Sequence, residues 1–141
     1  MELLRPAVDI GYVVGDLDAM TAFYGEGLGL ELVSEQTLPD DFPGGGRTVR
    51  CFAAGASWLK LWSLHAGAPA RGSDERLGEI GFRYLTMHVE DLQGVVDRLR
   101  SLGYPIEVAP RRSSVGGLRS VSFVRDPDGN YIELVEPEEQ A

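Results

Sequence analysis

Apolar and polar residues alternate over residues 8–14 of this chain, and the spacing of apolar residues then changes to that of a helix. The alternation predicts a strand with one apolar face. Asp16 follows the strand as a good N-cap, and apolar residues recur at helical intervals from Leu17 to Leu28. Gly29 then favours the end of the helix, so the chain begins with a strand and an amphipathic helix.

Three further strands are predicted after this helix. Residues 30–37 and 47–53 have strand character and are separated by a loop, residues 39–46, that is rich in proline and glycine. Residues 58–62 follow a short turn and alternate again. The first half of the chain is therefore predicted to be a βαβββ module.

The same order of elements returns in the second half. Asp91 takes the place of Asp16 as a helix N-cap, and apolar residues recur at helical spacing from Leu92 to Leu102. The strands of this half are predicted at residues 82–89, 106–108, 118–124 and 131–135. Residues 66–80, which are rich in glycine, alanine, proline and charge, are predicted to be a linker.

The two halves form an internal repeat. Asp16 aligns with Asp91 at an offset of 75 residues, and the fourth strands align at an offset of 73, which places Lys60 on Glu133. The prediction is an α+β fold of two βαβββ modules in tandem, forming one domain over residues 1–141. Module one covers about residues 5–65 and module two about 81–137. A helix covers one face of each sheet, and the opposite faces are expected to line a shared cleft.

Composition narrows the classes of function. The chain has 141 residues, 43% of them apolar, and a net charge of −9, which argues against nucleic acid and anionic membranes as partners. A single cysteine, Cys51, excludes an internal disulfide and favours a cytoplasmic location. No run approaches the roughly 18 apolar residues of a membrane span.

A hairpin motif near the C-terminus points to one carboxylate. Asp126-Pro127-Asp128-Gly129 has the residues of a type I turn closed by a left-handed glycine. In the strand that follows, Glu133 alternates with Ile132 and Leu134 and so faces away from them. This carboxylate is expected to point into the cleft.

These motifs, taken together, resemble the vicinal oxygen chelate superfamily, which includes glyoxalase I, bleomycin-resistance proteins and extradiol dioxygenases. The residues that carry the resemblance are Val14-Gly15-Asp16-Leu17, Phe23-Tyr24, Leu28-Gly29-Leu30, Asp126-Pro127-Asp128-Gly129-Asn130 and Ile132-Glu133-Leu134. The resemblance covers nearly the whole chain and implies the duplicated fold. It implies much less about function, since one fold supports unrelated chemistries.

The resemblance also implies where a metal would be held. Metal-dependent members carry His, Glu or Gln on the first and fourth strands of each module, and the matching residues here are Asp9, Lys60, Tyr84 and Glu133. A lysine ammonium has no lone pair to donate. We therefore expect no metal cofactor, with Lys60 supplying the positive charge and pairing with the carboxylates; if a divalent cation binds, Asp9 and Glu133 are its ligands.

Aromatic residues favour a small-molecule ligand. Trp58 and Trp62 flank Lys60 on one face of the fourth strand, a pattern suited to stacking on a flat ligand with an anionic group. Tyr131 and His88 are predicted to face the cleft from module two. An alternative is that the tryptophans close the interface of a homodimer, in which modules pair within one chain or between two.

Two functions follow from these residues. The first is a small-molecule binding protein of the bleomycin-resistance type, in which aromatic residues hold an aromatic or natural-product ligand without a metal. The second is a glyoxalase-like lyase or isomerase in which Glu133 or Asp9 removes a proton next to a carbonyl and Lys60 or Tyr84 stabilises the enolate. An extradiol dioxygenase is disfavoured, because Asp9 and Tyr84 stand where that chemistry needs histidines.

Overall fold

The computed structural model describes residues 4–72, 74–78 and 80–138, and the chain divides into two compact units after Ala70. The predicted linker, residues 66–80, includes residues 73 and 79, which lie outside the described part. The elements of module one are β1 (Ile10–Val13), α1 (Leu17–Ala22), a π-helical turn (Phe23–Gly27), β2 (Glu31–Leu38), β3 (Arg47–Ala54) and β4 (Ser57–Leu64). Those of module two are β5 (Tyr84–His88), α2 (Leu92–Ser101), β6 (Ile106–Arg112), β7 (Leu118–Arg125) and β8 (Tyr131–Pro137).

Both modules have the same sheet topology. The strand orders are β1-β4-β3-β2 in the first and β5-β8-β7-β6 in the second. In each sheet the strand before the helix pairs in parallel with the last strand, and the other pairs are antiparallel. The predicted α+β fold of two βαβββ modules is confirmed.

Aspartate caps begin both helices, as the sequence predicted. Asp16 Oδ1 accepts a hydrogen bond from the Ala19 N–H at 2.9 Å, and Asp91 Oδ1 accepts one from the Gly94 N–H at 2.9 Å. The first helix does not continue as α-helix to Leu28. It becomes a π-helical turn in which the Leu28 N–H donates to the Phe23 carbonyl at 2.9 Å, a bond spanning five residues.

Alternation along the last strand of each module separates a buried layer from an accessible one. Leu61 is fully buried in module one, as is Leu134 at the equivalent position of module two. Lys60 and Glu133, one residue earlier, are only half-buried. The predicted orientation of both strands is confirmed, and below we call the sheet face that carries Lys60 or Glu133 the helix-free face of its module.

The segment expected to be a linker packs partly on module two. Arg71 Nη1 donates to the Asp128 carbonyl at 2.6 Å, in the β7–β8 hairpin. Arg83 Nη2 donates to the Glu75 carbonyl at 2.6 Å, and this bond holds the end of the segment against the start of β5. Within the described residues, no helix reaches the length and apolarity that crossing a bilayer requires.

Candidate functional site

An ion pair lies at the centre of the helix-free face of module one. Lys60 Nζ is 3.3 Å from Asp9 Oδ2, across the parallel pair of β4 with the strand that begins just after Asp9. The same ammonium lies 6.0 Å from the centre of the Trp58 ring. Two predicted site residues are therefore in direct contact, and the expected pairing of Lys60 with Asp9 is present.

Asp9 is held as a carboxylate by several donors. Its Oδ1 accepts from the Trp58 N–H at 2.9 Å and from Arg5 Nη2 at 2.6 Å. The Trp58 N–H is the largest cause that lowers the pKa of Asp9 below its ordinary value of 3.8, and Lys60 and Arg5 add to it, against a smaller opposing effect of desolvation. Asp9 is therefore ionised at neutral pH and orders the start of β4.

The Trp62 side chain packs over Gly11, next to this ion pair. A Cβ built on Gly11 would lie only 3.1 Å from Trp62 Nε1, so the indole packs directly on the glycine backbone. Arg47 lies 5.5 Å from the Trp62 ring centre. Cys51 pairs with Lys60 in the β3–β4 register and is buried beside it.

The helix-free face of module two has a carboxylate at the equivalent place. Glu133 pairs with Thr86 in the parallel β5–β8 register, and Thr86 Oγ1 donates to Glu133 Oε2 at 2.7 Å. Tyr84 pairs with Tyr131 in the same register, and His88 with Val135. Because partners in register share a face, module two brings Glu133, Tyr84, Tyr131 and His88 onto one surface.

Aromatic rings on this surface are covered by arginines. Tyr84 packs edge-on against Phe123 with ring centres 6.2 Å apart, and Arg76 of the preceding segment lies 4.1 Å from the Phe123 ring centre. Arg125 lies 4.2 Å from the Tyr131 ring centre. One side of Tyr131, which the sequence suggested as a stacking platform, is thus already in contact with a guanidinium.

Three of these contacts were not found from the sequence. Phe123 could have been placed beside Glu133 by extending the β7–β8 register, since residues directly opposite on antiparallel strands share a face. Arg47 could have been placed in the same way, at the start of β3. No sequence pattern predicted the position of Arg76, because the apolar residues of its segment have no periodic spacing.

A divalent metal fits this donor set poorly. Lys60 has no lone pair, and Asp9 already accepts from three donors. Within residues 4–72, 74–78 and 80–138, no three side chains of His, Cys, Asp or Glu lie close enough together to hold a metal ion. The disagreement with the metal-dependent members of the superfamily therefore lies in the chemistry of the side chains, and we derive no step through a metal.

The chain consists of two βαβββ modules, and each has half-buried polar and aromatic side chains on the sheet face opposite its helix. These features define a class of proteins built from a repeated module. The sequence model of the Glyoxalase/Bleomycin resistance protein/Dioxygenase superfamily matches residues 7–134. The chain belongs to this superfamily.

Relatives and solved structures agree with this assignment. The chain is similar to a "Probable lactoylglutathione lyase" of Synechocystis, with 30% identity over 87% of this chain and 88% of the relative. It is 27% identical to "Lactoylglutathione lyase GLX1" of Arabidopsis thaliana over 94% of this chain, but it spans only 44% of that protein. The structure of Leishmania major glyoxalase I matches with a TM-score of 0.71 and 26% identity, covering 94% of this chain and 86% of that one.

Proposed function

We propose that this protein binds a small aromatic or natural-product ligand without a metal, in the manner of the bleomycin-resistance branch of its superfamily. One observation carries the proposal: Lys60 occupies a ligand position of the metal-dependent members and is paired with Asp9 at 3.3 Å. A half-exposed Trp58 lies on one side of this pair and Trp62 on the other. A flat ligand would stack on the indoles while an acidic group meets Lys60.

The proposal also covers the oligomeric state of the protein and its cellular location. We infer that the protein acts in the cytoplasm, as its single cysteine indicates, and forms a homodimer. Sedimentation equilibrium measures the second point directly: a mass of about 31 kDa, twice the 15.4 kDa of one chain, supports it, and a single-chain mass contradicts it.

A lyase or isomerase is the second candidate, and the Thr86–Glu133 hydrogen bond favours it. Glu133 accepts from a neutral hydroxyl, and within the described residues of module two no cation forms an ion pair with it, in contrast to Asp9 in module one. It would remove a proton next to a carbonyl, and the Tyr84 hydroxyl would donate a hydrogen bond to the enolate oxygen. The relatives named lactoylglutathione lyase support this candidate.

Metal content is the first test of both candidates. Protein purified without a metal-chelating tag is loaded with Mg, Mn, Fe(II), Co, Ni or Zn, dialysed, and analysed by elemental mass spectrometry. Content well below one ion per chain under every condition supports the metal-free site. About one ion per chain contradicts it.

Two variants then separate the candidates. Trp58→Ala is expected to weaken binding of aromatic ligands, found by tryptophan-quenching screens, at least about tenfold, while the matched variant Trp58→Phe retains most of it. Glu133→Gln leaves this binding unchanged if the protein is only a binder. If the protein breaks down lactoylglutathione, Glu133→Gln removes turnover and spares binding, and Glu90→Gln, an exposed control, changes neither.

A further inference from the structure

A groove of about 460 Å³ opens in module two, lined by residues of α2, β6, β7 and β8 and by Glu138 just after β8. Three arginines line it: Arg111 and Arg112 at the end of β6 and Arg119 on β7. Gln93 from the first turn of α2 forms another part of the wall. Its volume lies within the range of about 300–1,000 Å³ that is usual for small-molecule sites.

The groove lies at the edge strand β6, where Arg112, Ser120 and Glu136 are in register on the face opposite Glu133 and Arg111 leaves the strand on the other side. Glu136 lines the groove and alternates with Glu133 along β8, so the two carboxylates leave the strand on opposite sides. Gln93 belongs to the helix that covers the other side of the sheet. None of the residues of the proposed function lines the groove, and the inference does not rest on that function.

The charges in the groove are only partly neutralised. Ser120 Oγ donates to Glu136 Oε2 at 2.8 Å, and Arg119 Nη1 lies 3.7 Å from Glu136 Oε1, so Glu136 is already partnered. Within the part of the chain that the structure describes, neither Arg111 nor Arg112 forms an ion pair. Glu138 also lines the groove and opposes an anion, which leaves two guanidinium groups against one carboxylate.

Module one shows that the fold does not require these charges. Arg112, Ser120 and Glu136 lie in register across the second sheet, and Thr37, Thr48 and Ser63 occupy the same places in the first. The two threonine hydroxyls of module one are 3.1 Å apart, a neutral contact. Asp40 and Asp41 follow β2, so the charge next to this position is even of opposite sign in module one. The arginine-rich groove is thus a specific feature of module two, in a chain whose net charge is −9.

We propose that this groove binds a small phosphorylated molecule, with its phosphate or diphosphate group held by Arg111 and Arg112. The planar guanidinium donates paired hydrogen bonds that match phosphate oxygens. The groove is several times larger than one phosphate group, so it has room for the organic part of the molecule beside Gln93 and Ser120.

Isothermal titration with pyrophosphate as the probe, at fixed ionic strength, tests the proposal on the whole chain. We expect saturable binding that Arg112→Gln and Arg111→Gln each weaken at least about tenfold. Glu138→Gln is expected to tighten binding severalfold, since it removes a carboxylate that lines the groove and has no ion-pair partner among the described residues. Arg98→Gln removes a positive charge from α2 outside the groove and is expected to leave the affinity within about twofold of the parent.

Three results would overturn the proposal. One is the absence of saturable binding. Another is an equal loss in Arg98→Gln and Arg112→Gln, which would mean that only overall charge matters. The third is citrate binding as tightly as pyrophosphate, which would show a site for any polyanion rather than for phosphate. Because the gain in Glu138→Gln requires a folded protein, unfolding of a variant cannot imitate the expected pattern.

Discussion

The helix-free faces of the two modules share a fold and differ in chemistry. Lys60 of module one and Glu133 of module two occupy equivalent positions on the last strand, at an offset of 73 residues. The ammonium is paired with Asp9, whereas the carboxylate accepts from the Thr86 hydroxyl. Lys60 thus has an ion-pair partner within module one, whereas within the described residues of module two no cation pairs with Glu133. The two modules share one topology and differ in the chemistry of these surfaces.

The neighbours of these two residues have diverged as well. Gly11 stands opposite Lys60 in register and accommodates the Trp62 ring, whereas Thr86 stands opposite Glu133 and donates to it. Cys51 lies beside Lys60 on the neighbouring strand, and the much larger Phe123 lies beside Glu133. The difference in charge is thus accompanied by a difference in volume.

The largest expected effect on stability tests whether the hydrophobic cores of the two modules are equivalent, although their helix-free faces are not. Leu61 and Leu134 are fully buried at matching positions, so Leu61→Ala and Leu134→Ala should each lower the free energy of unfolding by about 2–5 kcal/mol. Urea denaturation measures both. A loss below about 1 kcal/mol in one module and not in the other would contradict the equivalence of the two cores.

Substitution of Gly11, which contacts Trp62, should have the next largest effect on the free energy of unfolding. Gly11→Thr gives module one the residue type that module two has at the equivalent position, Thr86. The Cβ of the new side chain would lie 3.1 Å from Trp62 Nε1. We expect a loss of about 1–3 kcal/mol from overpacking and a shift in tryptophan emission as the indole moves. Gly11→Ala is the graded control and should cost less. Unchanged stability and emission in Gly11→Thr would show that Trp62 does not pack on this glycine.

The fold was predictable because local signals repeat. Alternation, two aspartate caps and the turn that ends at Gly129 each depend on neighbours in sequence, and all three are present in the structure. The opposite directions of Glu133 and Leu134 followed from strand period alone. The π-helical turn after Ala22 was not predicted, because a bond that spans five residues has no distinct apolar spacing.

The surroundings of the candidate site were less predictable. The Asp9–Lys60 pair was expected because the family resemblance places these two residues at the ligand positions of the first and fourth strands. Arg76 on Phe123 was not, since the segment around Arg76 lacks periodicity and its position depends on tertiary contacts. The groove lined by Arg111 and Arg112 was not predicted from the sequence either, because its lining comes from α2, β6, β7 and β8, which only the fold brings together.

Removing the Arg76 side chain should have a smaller effect on stability. It tests a contact with the Phe123 ring that has no aromatic counterpart at the equivalent residue of module one, Cys51. Arg76 covers the Phe123 ring at 4.1 Å, so Arg76→Ala should cost about 0.5–1 kcal/mol of unfolding free energy. A double-mutant cycle with Phe123→Leu separates the ring contact from other effects of Arg76. A coupling energy of zero would mean that the arginine merely lies near the ring. The same cycle on Arg47 and Trp62, 5.5 Å apart in module one, should give a weaker coupling.

The smallest effect concerns pH and belongs to module one. The pKa of Asp9 is lowered in the folded protein, chiefly by the Trp58 N–H, so the folded state favours the carboxylate more than the unfolded state does. The stabilisation from Asp9 is therefore fully present above the ordinary, unfolded pKa of 3.8 and is lost as pH falls through the lower folded pKa. Urea denaturation from pH 3 to pH 7 should show wild type more stable than Asp9→Asn at neutral pH, with the gap closing below about pH 4.

A control variant places this pH effect at Asp9 rather than in overall charge. Asp41→Asn removes an exposed carboxylate from the loop between β2 and β3, and its difference from wild type should stay nearly constant with pH. A gap between wild type and Asp9→Asn that persists unchanged to pH 3 would mean that the Asp9 contacts act through packing and not through charge. Lys60 would then be balanced by some other group, and the contrast between a locally neutralised module one and an unneutralised Glu133 in module two would no longer hold.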